Sequence, residues 1–286
     1  MTAAPDSHSS RSPLPEPVTE AGRAGLRAVL DQPSAAVVAL DFDGTLADIV
    51  PDPDSARARP GAVEALARLA PHVRSIAVVT GRPAETAVRY GGFADVPGLE
   101  HLVVLGLYGA ERWEAASGEL TAPPPPPGLT AARAELPTVL AENGNFPGLW
   151  TEDKGQAVAV HTRRAEDPQG AYDVLLAPLT ALAERHGLIV EPGRMVLELR
   201  PPGMDKGKAL TTYLDEVGAT SVLYAGDDLG DLAAYAAVEA GRPARPGLLL
   251  ASGTEVSELT VRADLPLAGG PEEVVAFLAA LGEALG

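Results

Sequence analysis

A chain of 286 residues is long enough for about two domains, and its 46% apolar and 21% charged residues exclude a wholly disordered polymer. Thirty-nine acidic against 22 basic residues leave a formal charge of -17, and no run of Lys or Arg offsets it, so nucleic acid and anionic membrane are excluded as partners. Cysteine is absent, which removes disulfides, thiolate-bound metals and a Cys nucleophile, and no apolar stretch reaches the ~18 residues of a spanning helix or forms the core of a signal peptide.

Residues 1–17, rich in Ser and Pro, are expected to form a disordered tail. Apolar periodicity through Val18, Leu26 and Leu30 predicts a helix. The run AAVVAL (35–40) is short, β-branched and continuous, as in a strand buried on both faces of a parallel sheet. Residues 60–70 predict a helix with Pro60 at its start. SIAVV (75–79) is a second buried strand, 83–90 a helix, and HLVVLGL (101–107) a third strand. This β-α-β-α-β order is that of a doubly wound α/β domain.

The pattern then changes. Residues 107–122 alternate like a hairpin turning at Ser117-Gly118, and Pro123 to Pro127 predict a stiff extended spacer. A helix (130–142), a strand-like stretch (149–162), a helix (167–186) and a second strand-like stretch (188–200) follow, as in a small α+β unit. From Asp205 the first pattern resumes, with a helix (205–217), a strand (221–226), a helix from 229, a strand (247–251) and a helix (271–284). The expected architecture is a mostly parallel Rossmann-like core (18–114 and 201–286) split by an inserted α+β cap (115–200). The expected location is the cytoplasm. With 4% aromatic residues, base stacking or an aromatic sugar platform is not expected to dominate recognition.

Ligands of open parallel sheets bind beyond the carboxyl ends of the strands. Here the first strand runs into Asp41-Phe42-Asp43-Gly44-Thr45-Leu46, the second into Thr80-Gly81-Arg82, and a later one into Gly226-Asp227-Asp228-Leu229-Gly230-Asp231. If these strands are neighbours, Asp41, Asp43 and Asp227 converge, and clustered carboxylates need a cation to stay ionised. All-oxygen ligation shared with phosphate suits Mg²⁺. Asp228 and Asp231 have a plainer explanation as the cap and first-turn acid of the following helix. Glu152 and Lys154 are two apart and share a strand face. Glu198 alternates with the apolar Leu197 and Leu199. These charges fit either sugar hydroxyls or exposed cross-strand pairs.

DFDGTL, Thr80-Gly81-Arg82, Lys206 opening a helix and GDDLGD resemble, in order, the four motifs of the haloacid-dehalogenase-like (HAD) phosphohydrolases, with the insertion where that family places its C2-type cap. YGAERW (108–113), TEDKGQAVAVHTR (151–163), EPGRMVLELRP (191–201) and DKGKAL (205–210) narrow the resemblance to the trehalose-6-phosphate phosphatase family. Tyr108 departs from it, standing where many members have His.

The resemblance implies Asp41 as the nucleophile that becomes phosphorylated and Asp43 as general acid, then general base. It implies metal ligation by Asp41, Asp227 and the Asp43 backbone carbonyl. Thr80, Gly81, Gly44 and Lys206 would hold the phosphoryl group, and a Lys near a positive helix N-terminus has need of such an anion. Arg82 with Glu152, Lys154 and Glu198 would bind substrate, while Asp228, Asp231, His161, Arg163 and Arg194 are further candidates. The implied substrate is trehalose 6-phosphate, and the implied partner, by pathway only, a trehalose-phosphate synthase. Other capped HAD chemistry remains open, on sucrose phosphate, glucosyl-glycerate phosphate or a hexose phosphate, or as a phosphomutase. A receiver domain has no room for the insertion. An inactive binding module has no need of Asp41, Asp43, Lys206 and Asp227 together.

Overall fold

A computed structural model describes residues 14–286. Most of the expected tail, 1–13, lies outside the described residues. Its last four residues are not a tail: Leu14 packs on the core, and Pro17 is buried, its carbonyl accepting from Arg23.

The chain is mixed α/β. Twelve strands occur among the described residues, and they form two sheets. The large one contains β1 (Ala36–Leu40), β2 (Ser75–Val79), β3 (Leu102–Gly106), β4 (Glu111–Glu114) and β5 (Glu119–Thr121), then β10 (Ser221–Gly226), β11 (Gly247–Ser252) and β12 (Leu265–Leu267). Its spatial order is β12-β11-β10-β1-β2-β3-β4-β5. The first six of these are mutually parallel; β4 and β5 add an antiparallel edge.

Continuous apolar runs dictate that β1, β2, β3, β10 and β11 are buried on both faces. Ala36, Val38 and Leu40 point into one core, shared with α1 (Glu20–Asp31), α2 (Ala62–Leu69), α3 (Ala84–Gly91) and α9 (Pro271–Leu285). Val37 and Ala39 point into the other, against α6 (Lys206–Glu216), α7 (Leu232–Gly241) and α8 (Ser257–Arg262). Each buried aliphatic side chain contributes about 1.5–3 kcal/mol, so the strand tips sit on a stiff platform.

The second sheet is antiparallel, in order β6 (Trp150–Asp153), β7 (Val158–His161), β9 (Val196–Arg200), β8 (Ile189–Gly193). The two strand-like stretches of the insertion are therefore hairpins. Leu197 and Leu199 of β9 and Val158 and Val160 of β7 face α4 (Pro127–Asn143) and α5 (Pro168–Arg185) in a separate core. The alternate side chains are left on the opposite face.

Two boundaries shift from expectation. Residues 115–121 belong to the large sheet, because β5 pairs with β4 and β4 with β3; the insertion begins after Thr121. Pro127 is not spacer but the first residue of α4, where a missing N–H costs nothing. The short α8 and β12 lie in segments where the sequence pattern predicts no element.

Asp264 ties three elements together. Fully buried, it accepts from the Leu249 amide at 2.8 Å and from Thr19 and Arg242, while its carbonyl takes the Val18 amide at 2.8 Å. Asp264→Ala orphans the Leu249 amide, Thr19 and Arg242, but not the Val18 amide, and leaves the inter-sheet cleft untouched. Urea denaturation should show a loss of about 3 kcal/mol; a loss within about 0.5 kcal/mol would mean the network contributes little.

Candidate active site

Strand order reverses at β1: the chain leaves it towards β2 and β3 on one side and returns through β10 to the other. Such a switch point opens a crevice at the carboxyl ends. In-register pairing, Leu40 with Ala225 and with Val78, brings the ends of these strands together, with Thr80 and Asp227 one position beyond the level of Asp41.

At the centre of these tips is Lys206, buried at the start of α6. Its Nζ lies 2.8 Å from Asp41 Oδ1, 2.7 Å from Asp231 Oδ1 and 3.9 Å from Asp228 Oδ1. Asp231 is fully occupied. Its Oδ1 also accepts from the Tyr224 hydroxyl at 2.5 Å, and its Oδ2 accepts from the amides of Asp227 (3.0 Å) and Asp228 (3.1 Å). Asp228 caps the following turn by accepting from the Gly230 amide, and Asp231 completes the capping box. The expected capping roles are thus present, and Asp231 holds the ammonium as well.

Close approach demands bare backbone at two places. A Cβ on Gly44 (φ +75°) would lie 1.9 Å from Asp227 Oδ2, and one on Gly226 would lie 2.3 Å from the Asp231 carboxyl carbon. Gly44 therefore packs beside Asp227 instead of lining the cleft, and its carbonyl is tied to the Ser252 hydroxyl at 2.6 Å.

Four carboxylates here face one ammonium. Burial pushes the Asp41 carboxyl well above the usual range; Lys206 opposes this, while Asp231, Asp227 and Asp228 add to it. Asp227 is pushed up to about 7 by burial, then by Asp231 and Asp228. Burial pulls Lys206 down, but Asp231, Asp41 and Asp228 outweigh it and hold the ammonium charged. The surplus negative charge calls for a cation. Asp41, Asp227 and Asp231 each bring an oxygen within 4.8 Å of the others. Asp231 has its acceptors filled, whereas Asp227 Oδ1 is buried without a partner. The pair Asp41 and Asp227 therefore fits a divalent cation.

Asp43, expected near Asp41, turns its side chain away from this cluster. Both its oxygens accept from Arg82, at 2.6 Å each, so Arg82 is engaged by protein in this arrangement. Thr80, buried, accepts the Arg82 amide on its hydroxyl at 3.1 Å and keeps its own proton free to donate.

The cap sheet faces this floor across a cleft of about 980 Å³. Asp41, Asp43, Thr80, Gly81, Arg82, Lys206 and Asp228 line it from the core; Glu152, Lys154, His161 and Arg163 line it from the cap. His161 Nε2 donates to the Glu152 carboxylate at 2.8 Å, and the His161 ring stacks on Trp150, ring centres 4.4 Å apart and 3° from parallel. The His161 contact with Glu152 lowers the Glu152 carboxyl, against burial. Lys154 pairs with Glu198, whose other oxygen is buried and unpartnered. Arg163 crosses to the core, donating to the Pro51 carbonyl at 3.3 Å. Arg194 is exposed and does not line the cleft; it offers only its carbonyl, to Arg163.

Trp150, Arg164, Tyr90 and Tyr108 line the cleft without having been expected to do so. The alternation that selects Glu152 and Lys154 extends back to Trp150 and would have found it. Low aromatic content concealed an aromatic pair placed where it faces the cleft.

A family model described as Trehalose-phosphatase matches residues 39–263. Among curated proteins, a trehalose-phosphate phosphatase of Mycobacterium tuberculosis (strain ATCC 25618 / H37Rv) is 41% identical over 237 residues, 78% of this chain and 56% of that protein. One of Mycobacterium leprae (strain TN) is 37% identical over 218 residues, 70% and 47% of the two chains. The chain thus spans about half the length of the curated relatives it matches. Solved structures share the fold. The C. albicans trehalose-6-phosphate phosphatase C-terminal domain superposes with a TM-score of 0.68 at 18% identity, over 95% of this chain and 99% of that one. A trehalose-6-phosphate phosphatase related protein gives 0.65 at 23% identity, over 86% and 97%.

The proton affinity of Asp227 has a measurable consequence. An Asp that titrates near 3.8 in the unfolded chain and at about 7 when folded binds its proton more tightly in the native state. Metal-free stability should therefore fall as pH rises from about 4 to about 7. A divalent cation replaces that proton, so at one fixed concentration, about a hundredfold above its Kd at pH 8, it should raise Tm by about 5–10 °C at pH 8 and by less at pH 5. Equal shifts at both pH values would contradict the assignment of Asp227 as a cation ligand.

Proposed function

The chain belongs to the trehalose-phosphatase family, and from that premise we propose that it hydrolyses trehalose 6-phosphate to trehalose and inorganic phosphate through a phosphorylated Asp41. The observation that carries this reading is the Asp41 carboxylate, 2.8 Å from a buried ammonium, at the floor of a cleft whose opposite wall bears sugar-binding chemistry.

Phosphate monoesters are among the slowest substrates in water, so catalysis must neutralise charge and align the attack. Asp41 attacks phosphorus, and the bond from phosphorus to the sugar oxygen breaks. Asp43 gives its proton to that oxygen. It then takes a proton from the water that attacks phosphorus, which frees phosphate and restores Asp41. In the present arrangement Arg82 occupies both Asp43 oxygens. An arriving phosphate competes for the guanidinium and releases one of them. Lys206, the Thr80 hydroxyl and the Gly81 amide hold phosphoryl oxygens. Mg²⁺ bound by Asp41 and Asp227, with the Asp43 carbonyl, would supply the positive charge that lets a carboxylate approach a phosphate dianion. Lys206 keeps Asp41 oriented throughout.

Glu152, Lys154 and Glu198 on the cap meet the sugar hydroxyls, with Trp150 and His161 offering a flat wall. Cap and core form the cleft jointly, so cap movement admits substrate and excludes water. We place the reaction in the cytoplasm, downstream of the synthase that makes the phosphorylated disaccharide. Among the described residues no helix is long and apolar enough to cross a membrane.

Phosphate release tests the reading, with trehalose 6-phosphate, sucrose 6-phosphate, glucose 6-phosphate and p-nitrophenyl phosphate as substrates. Trehalose 6-phosphate should give the highest kcat/KM, EDTA should abolish turnover, and Mg²⁺ should restore it. Asp41→Asn should lower kcat at least ~10³-fold with the fold retained. Preference for another sugar phosphate would redirect the substrate assignment, and near-wild-type turnover by Asp41→Asn would remove the nucleophile.

A further inference from the structure

Tyr108 follows β3 in a run of three residues with positive φ: Leu107 at 47°, Tyr108 at 58° and Gly109 at 86°. Left-handed backbone costs a non-glycine residue of order 1 kcal/mol or more and persists only where its surroundings enforce it. The Leu107 amide donates to the Arg82 carbonyl at 2.9 Å, and the Tyr108 amide donates to the Thr80 carbonyl at 3.0 Å. The strained segment is therefore stitched to the Thr80-Gly81-Arg82 loop beside the reacting centre.

These bonds set the phenol over Gly81, where a Cβ would come 2.8 Å from its hydroxyl. On the cap side, the Arg200 guanidinium lies 4.7 Å from the ring centre, and Arg200 ends β9, the last cap strand. The side chain is thus wedged between the core loop and the end of the cap, and it lines the cleft. Its hydroxyl makes no side-chain hydrogen bond among the described residues. Burial, then the charge of Glu198, pushes it up to about 12, so the phenol stays protonated and can donate at neutral pH. On β9, two residues before Arg200, Glu198 Oε1 is buried and unpartnered. A free donor from the core and a free acceptor from the cap are complementary to a sugar hydroxyl, which accepts one hydrogen bond and donates another.

We propose that Tyr108 is a positioning and specificity residue: its hydroxyl donates to a sugar hydroxyl whose own proton goes to Glu198 Oε1, clamping the sugar between core and cap. This rests on the sugar-phosphatase reading above. It also explains why an aromatic side chain tolerates a strained backbone here.

Tyr108→Phe removes one oxygen and keeps the ring under Arg200. It should raise KM for trehalose 6-phosphate about tenfold, change kcat less than about twofold, and leave p-nitrophenyl phosphate hydrolysis unchanged, because that substrate has no sugar hydroxyl. In a Glu198→Gln background the same substitution should cost much less, because the two groups act through one hydroxyl. An unchanged KM in Tyr108→Phe, additive losses in the double variant, or equal losses on both substrates would overturn the proposal; the last would leave only a loop-shaping role. If the wild-type enzyme cleaves p-nitrophenyl phosphate but no sugar phosphate, the sugar reading itself fails, and the proposal with it.

Discussion

One buried ammonium, Lys206, stands among four carboxylates at the tips of neighbouring parallel strands, and much of the chain around it serves to keep it there. Taking a lone charge out of water costs several kcal/mol, and removing one member of such a cluster leaves the others uncompensated. The structure meets this with geometry. Asp231 accepts four hydrogen bonds, so its position is over-determined and the ammonium it holds cannot drift from Asp41. Gly44 and Gly226 lack side chains where a single methyl group would collide with this arrangement. The remaining surplus of negative charge is what suits the site to a divalent cation.

The two sheets divide the work. The parallel sheet is buried on both faces, and its stiffness fixes the carboxylates at its strand tips. The antiparallel sheet is covered on one face by α4 and α5, leaving the other to line the cleft. Contacts such as Arg163 with the Pro51 carbonyl and Arg200 with the Tyr108 ring are modest in strength, which suits the cap movement proposed above. The pairing of Arg82 with Asp43 has a related logic: on the proposed mechanism, two groups that would each serve the substrate occupy one another until it arrives.

Much of this was legible in the chain. Continuous apolar runs ending in Asp41, Thr80 and Asp227 gave both the strands and the convergence of their ends, because parallel pairing aligns carboxyl termini. The early boundary at 115 failed because a hairpin after a βαβ unit reads as the start of a new unit; only pairing between β4 and β3 reveals that it extends the old sheet. Pro127 reads as spacer among five prolines, although a first-turn proline is compatible with a helix. The engagement of Arg82 with Asp43, residues 39 apart in the chain, leaves no local signal. Asp231 appeared as a helix cap, which it is, while its grip on Lys206 depends on where α6 arrives. Trp150 was recoverable from strand alternation alone.

Identifying the phosphorylated atom tests the account most directly. Soaked with beryllium fluoride and Mg²⁺, crystals of the protein should show a fluoroberyllate group bonded to an Oδ of Asp41, with Mg²⁺ beside Asp227 and Lys206 in contact with the group. A fluoroberyllate adduct on any other side chain, or a cation bound away from Asp41 and Asp227, would contradict it.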